Sequence, residues 1–249
     1  MKKMSLKTRF FPTPAFALAL TALLLSHSTA FAAGLKNDSE LGVVLTSGNS
    51  KTSSSDFKQS NSYGWDTHFF KLGGNFLRTT TDGTLKAKNW GSQLKWEEKI
   101  SGNTSGYAGL GVESNPFAGF NQRHSTDLGL KYSIWDNEEA TWSFEAGYRL
   151  TIENLVVGPR RHLRFLRTFT EISAPLNPNV SGKLSAEFLP GLAEFSDYRL
   201  NLEPSLSAML AKYLSFKVGY RVRYTNQPLP GAAFKTDTAF TTALVAQLK

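Results

Sequence analysis

The stretch WSFEAGYRLTI, from Trp142 to Ile152, alternates without a fault. Trp142, Phe144, Ala146, Tyr148, Leu150 and Ile152 are apolar, and Ser143, Glu145, Gly147, Arg149 and Thr151 between them are polar or small. Successive side chains of a strand point to opposite faces, so this pattern predicts a strand with one apolar and one polar side. The same rhythm runs through Leu214, Phe216, Val218, Tyr220, Val222 and Tyr224, set against Ser215, Lys217, Gly219, Arg221 and Arg223. It returns in Tyr198, Leu200, Leu202, Pro204, Leu206 and Ala208.

Reading the turns between such runs predicts twelve strands, near 38–46, 53–64, 67–78, 85–99, 104–115, 122–135, 140–153, 160–173, 179–189, 197–209, 213–224 and 236–248. The pattern slips between His162 and Ile172, as a bulge would make it do. The connections sort by length. Those after odd-numbered strands are the longer ones: Thr46–Lys51, Thr79–Thr84, Pro116–Asn121, Asn154–Pro159, Pro190–Ser196 and Thr225–Lys235. Those after even-numbered strands are tight, among them Gly64-Trp65-Asp66, Ser101-Gly102-Asn103 and Ala211-Lys212. Transmembrane barrels have long loops at one end and short turns at the other, and an even strand count brings both termini to the periplasmic side.

The first residues set the compartment. Lys2, Lys3, Lys7 and Arg9 precede an apolar run from Ala15 to Leu25, and Ala30-Phe31-Ala32 is a small-x-small cleavage box. This reads as a secretory signal peptide over residues 1–32, with a single barrel domain over 33–249. The signal carries four basic and no acidic residues, so it accounts for about half of the net charge of +8. The remaining charges are scattered, which makes no case for nucleic acid. An exported chain without cysteine has no disulfides to staple it. After the signal no apolar run is long enough to span a membrane as a helix.

These readings converge on an all-β fold, a transmembrane antiparallel up-and-down barrel of about 12 strands. Its apolar side chains face outward, and its polar face lines the lumen. That lumen receives Lys71, Lys95, Glu97, Asp127, Lys131, Glu145, Arg149, Lys183, Glu187, Arg199, Glu203, Lys217, Arg221 and Arg223. Arg149, Arg221, Arg223, Lys217, Glu145 and Glu203 are the lumen residues expected to matter most. Trp90, Trp96, Trp135, Trp142, Tyr107, Tyr198 and Tyr224 sit near strand ends, where interfacial aromatic girdles belong.

Patterns that would carry chemistry are sparse. His68, His124 and His162 follow no zinc-binding spacing. No cofactor, metal or catalytic set is expected. The best enzymatic constellation is His162 with Asp197 or Ser196 at the long-loop end, and nothing in the sequence orders it as nucleophile, base and orienter.

The segment Glu40-Leu41-Gly42-Val43-Val44-Leu45-Thr46-Ser47-Gly48-Asn49-Ser50-Lys51-Thr52, followed by a meander rich in aromatic-glycine pairs, resembles the opening of the DUF481 family. These are salt-induced outer-membrane proteins of Gram-negative bacteria, and the resemblance covers Asp38 to Lys249. It implies an outer-membrane location and a link to salt or envelope stress, and it carries no catalytic residues. The expected partners are outer-membrane lipid and lipopolysaccharide, the barrel-assembly machinery during biogenesis, and ions or small solutes. Phe240, Leu244 and Leu248 keep the outward period of the last strand. The final residue is Lys249, where many such barrels present an aromatic to that machinery. Three functions fit: a small pore or diffusion channel with a mixed-charge lumen, a plugged structural or stress-response barrel, and an outer-membrane lipid-modifying enzyme.

Overall fold

The computed structural model describes residues 35–45, 52–137, 139–229 and 234–248. The expected signal peptide, the Thr46–Lys51 loop and Lys249 lie outside the described residues. Twelve strands are described: β1 (Leu35–Leu45), β2 (Thr52–Trp65), β3 (His68–Thr81), β4 (Thr84–Ser101), β5 (Thr104–Asn115), β6 (Phe120–Asp136), β7 (Thr141–Leu155), β8 (Arg161–Asn177), β9 (Val180–Pro190), β10 (Tyr198–Ala211), β11 (Leu214–Thr225) and β12 (Thr236–Leu248). Each pairs antiparallel with its neighbours in sequence, and β12 returns to β1, closing a barrel. No described helix is long and apolar enough to cross a membrane.

Which face is inside follows from contacts between strands that are not neighbours. Lys95 on β4 reaches Glu145 on β7, and Lys58 on β2 reaches Glu203 on β10. Only side chains pointing into a closed cylinder can meet across intervening strands, so the charged face is the interior. The apolar members of each alternation therefore face out, and Leu110, Leu128 and Leu130 are each more than half exposed. Closure satisfies the backbone ladder without an edge, which leaves the outer wall free to be apolar.

Aromatic rings mark both ends of that wall. At the short-turn end Trp65 stacks on Phe70 with centroids 5.3 Å apart, and Tyr63, His68 and Trp96 continue the cluster. Trp135 meets Trp142 edge-on at 5.0 Å beside the β6–β7 turn. At the other end Tyr198 lies between Phe188 and Tyr224. Tyr107 departs from the girdle expectation: it is buried on the inner face, where its hydroxyl accepts a hydrogen bond from Arg167.

Two further expectations are corrected. The slip between His162 and Ile172 is not a bulge, because β7 and β8 stay in unbroken register from Glu153↔Arg161 to Thr141↔Ser173. Phe165 and Phe169 simply take inward positions, under the guanidinium groups of Arg199 and Arg167 at 4.8 and 5.1 Å. A hydrophobic count misreads such positions, since a cation over a ring makes an aromatic at home on a charged face. The sorting of loops also has an exception. The β3–β4 connection is only Asp82-Gly83, both with positive φ (49° and 75°), a two-residue hairpin turn of the type that left-handed residues favour.

The joins are unequal. β1 registers with β12 only over Asn37–Leu41, whereas β1 and β2 register from Leu35 through Leu45.

Candidate functional site

The interior of the barrel is the candidate site, and it is built from ion pairs. The strands deliver carboxylates and cations at alternate positions, and the cylinder brings distant ones together. One contiguous network coats the wall from β4 to β9. Lys131 donates to Glu97 at 2.7 Å, Glu97 also meets Lys95 at 2.8 Å, and Lys95 continues to Glu145. Arg167 links Glu145 (2.7 Å) to Glu187 (2.8 Å). Arg149 then spans Glu187 (3.1 Å) and Asp127, gripping both oxygens of the latter at 2.6 and 2.7 Å.

Geometry explains the choice of arginine at the two nodes. Its planar fork offers several donors in fixed directions, so one side chain can hold two or three carboxylates at once. The Glu145 side chain is only 3% exposed, and burying a carboxylate so deeply is tolerable only when it is paired and hydrogen-bonded.

The opposite wall carries a smaller set. Glu203 on β10 accepts from Arg221 at 2.8 Å and from Lys58 at 2.7 Å, and Lys217 on β11 donates to Glu40 on β1 at 2.7 Å. Near the long-loop end Glu153 sits between Arg123 (2.7 Å) and Arg199 (2.8 Å), and Arg123 also holds Glu113 at 2.8 Å. Glu113 in turn faces Arg223 at 3.6 Å. These last two belong to β5 and β11, half the circumference apart, so their contact crosses the lumen.

The six residues singled out from sequence divide among these groups. Glu145 and Arg149 join the β4–β9 network. Glu203, Lys217 and Arg221 belong to the opposite wall, and Arg223 makes the crossing contact. Sequence reading passed over Arg167, Glu153, Arg123, Glu113, Lys58 and Glu40. Arg167 was hidden by the inward phenylalanines on either side of it. Glu40 and Lys58 lie on strands whose outer faces are themselves polar, so no contrast marked them.

The His162 constellation is not assembled. His162 pairs in register with Ile152 on the outer face, Asp197 is held by Arg161 at 3.2 Å, and the Ser196 hydroxyl donates to Glu194. Among the described residues no group of three or more His, Asp or Glu is arranged to hold a metal.

A family model described as "Protein of unknown function, DUF481" matches residues 39–248. The chain belongs to the DUF481 family. No curated protein matches it significantly. Among solved structures this DUF481 barrel is similar to the NanC porin, with a TM-score of 0.53, 8% identity, and coverage of 86% of this chain and 100% of that one. It is equally similar to an outer membrane channel from Pseudomonas putida F1, with a TM-score of 0.53, 9% identity, and coverage of 88% and 97%. At such identities the likeness is one of fold.

Proposed function

We propose that this DUF481 protein is an outer-membrane pore of a Gram-negative bacterium, passing ions or small hydrophilic solutes along a narrow, mixed-charge lumen. The observation that carries this reading is the uneven dryness of the interior. On one wall Glu145 and Glu153 are sealed, with side chains 3% and 0% exposed, while Lys183, Arg223 and Glu203 keep side-chain exposures of 42, 40 and 34% inside the closed barrel. Charges that remain this accessible support a wet path, with Glu203 in the body of β10 and Lys183 and Arg223 toward opposite ends of the barrel. The apolar outer wall with aromatic bands at both ends supports the membrane location, and there the bilayer lipid, including lipopolysaccharide, is the outer partner. Delivery by a signal peptide and the barrel-assembly machinery belongs to the same reading, and the protein is taken as a conduit rather than an enzyme.

A plugged barrel is the second reading, favoured by the unbroken chain of ion pairs from Lys131 to Asp127. The salt link fits the pore: the Glu113–Arg223 contact is half wet, and screening at high ionic strength weakens such a pair. Single-channel recording of the refolded protein in a planar bilayer separates the two. Discrete, reproducible steps support the pore, and a silent membrane holding correctly folded barrel overturns it in favour of the plug.

A further inference from the structure

We propose that the outer face of β1 and β2, beside the β1–β12 seam, is a contact surface between two copies of this chain. The inference rests on the membrane reading above. Asn37 and Ser39 on β1, with Gln59 and Asn61 on β2, share the face of Leu41 and Phe57, opposite to the inward Glu40 and Lys58. They therefore point outward. They form a small row of their own: Ser39 Oγ donates to Gln59 Oε1 at 2.7 Å, Gln59 Nε2 donates to Asn61 Oδ1 at 3.3 Å, and the Asn37 amide also donates to Asn61.

The depth of this row makes it unusual. Asn61 and Gln59 lie two and four residues from Tyr63, whose ring belongs to the aromatic band at the short-turn end. On the next strand Asn61 pairs in register with Leu72, itself half exposed, and Gln59 with Gly74. Hydrocarbon offers an amide no hydrogen bond, so polar groups at such depth are rare and are found where protein meets protein. The internal bonds do not use up the row. A side-chain amide has two donor hydrogens and two acceptor lone pairs, and no described residue takes the Asn61 amide hydrogens.

A second observation falls in the same place. The β1–β12 join is registered only over Asn37–Leu41, and Asn37 and Ser39 of the row sit in that short stretch, in register with Leu248 and Ala246 of β12. The polar row thus borders a short join on its β1 side, where a covering partner shields backbone that is less completely paired.

The chemistry selects a second copy as that partner. The row carries no charge, so it offers nothing to an oppositely charged protein. Amides and hydroxyls donate and accept alike, so the row complements itself. A two-fold axis along the membrane normal brings the same residues face to face while both barrels keep one orientation.

The absence of cysteine makes a direct test available. Asn61→Cys, Gln59→Cys and, as an outward control on β6, Leu128→Cys are refolded as full barrels in vesicles and oxidised. The expected result is a disulfide-linked dimer for Asn61→Cys and Gln59→Cys and only monomer for Leu128→Cys. Monomer for all three, or equal dimer for all three through random collision, overturns the contact. Labelling with a water-soluble maleimide keeps the two readings apart. A Leu128→Cys thiol that reacts in the folded barrel sinks the membrane location, whereas a shielded one beside an uncrosslinked Asn61→Cys sinks only the dimer.

Discussion

Tyr107 on β5 accepts a hydrogen bond from Arg167 on β8, Nη1 to Oη 3.0 Å, across two intervening strands. The residues between them in the row are Gly129 and Gly147, which face each other in register. A Cβ on Gly129 would stand 2.7 Å from the tyrosine oxygen and 2.4 Å from the Ala146 carbonyl oxygen. One on Gly147 would stand 2.7 Å from the tyrosine oxygen and 2.4 Å from the Leu128 carbonyl oxygen. The two glycines form a trough in which the ring lies along the wall, and the trough is what lets a β5 side chain reach the arginine node.

Gly147→Ala should therefore destabilise the barrel by about 1–3 kcal/mol, the usual penalty of overpacking. Urea unfolding of the refolded protein in vesicles measures it. Gly111→Ala is the control, since a Cβ there would meet nothing nearer than 3.8 Å. Equal losses at the two sites would show that the trough has no special role.

Arg167→Met removes the link between Glu145 and Glu187 and leaves buried carboxylates short of a counter-charge. Breaking one side of a buried ion pair typically costs about 3–5 kcal/mol, and the Arg167 side chain is 9% exposed, so solvent does little to soften the loss. Adding Glu145→Gln to that variant should recover part of the stability, because the neutral amide no longer needs the arginine. A double-mutant cycle with no coupling between the two positions would contradict the network.

What sequence made legible followed from contrast between faces. Where β7, β10 and β11 alternate cleanly, strand, face and charged side were readable, Arg149, Arg221 and Glu203 among them. Legibility failed where the two faces resemble each other. Phe165 and Phe169 put rings inside and hid Arg167 between them, although the sequence places it midway. Asn37, Ser39, Gln59 and Asn61 put polar groups outside, and Glu40 and Lys58 lost their distinction. Which cation meets which carboxylate was beyond reach for a different reason. Contacts such as Lys58 with Glu203 depend on the curvature and stagger of a closed cylinder, which no local pattern encodes.

Arg221→Ser combined with Arg223→Ser should turn the lumen toward cations. Arg221 neutralises Glu203, and Arg223 is one of two arginines facing Glu113, so their loss leaves excess negative charge along the path. Reversal potentials measured across a salt gradient should move in the cation-selective direction. Potentials identical to those of the unaltered protein would place the conducting path away from these residues.

The long-loop end carries a clamp that acid should release. Glu194 accepts hydrogen bonds from Ser196 Oγ at 2.5 Å and from Gln227 Nε2 at 3.0 Å, tying the β9–β10 connection to the one after β11. These donors hold its carboxyl below the usual glutamate range. With the folded value depressed, the clamp's contribution is complete above the ordinary glutamate pKa of about 4.3 and fades as pH falls through the folded value. Protection of the amides in residues 191–197 and 226–229, measured against the intrinsic exchange rate at each pH, should fall on that descent. Glu194→Gln should remove the pH dependence of that protection, and protection that is flat with pH in the unaltered protein would rule the clamp out.

The crossing contact tests whether an ion pair can set the width of the path. Glu113 and Arg223 meet at 3.6 Å with side chains 32% and 40% exposed, so solvent screens them and the pair contributes only about 0–1 kcal/mol to stability. Glu113 is also held by Arg123, which keeps it on its own wall. Arg223→Ala should leave the unfolding midpoint almost unmoved while raising single-channel conductance, because it removes a long side chain from the lumen and no buried partner is stranded. The conductance of the unaltered protein should also rise more steeply than bulk conductivity as salt is added, since screening loosens the same contact, and Arg223→Ala should abolish that excess. An Arg223→Ala channel with unchanged conductance and an unchanged salt curve would move the constriction to the Arg167 wall.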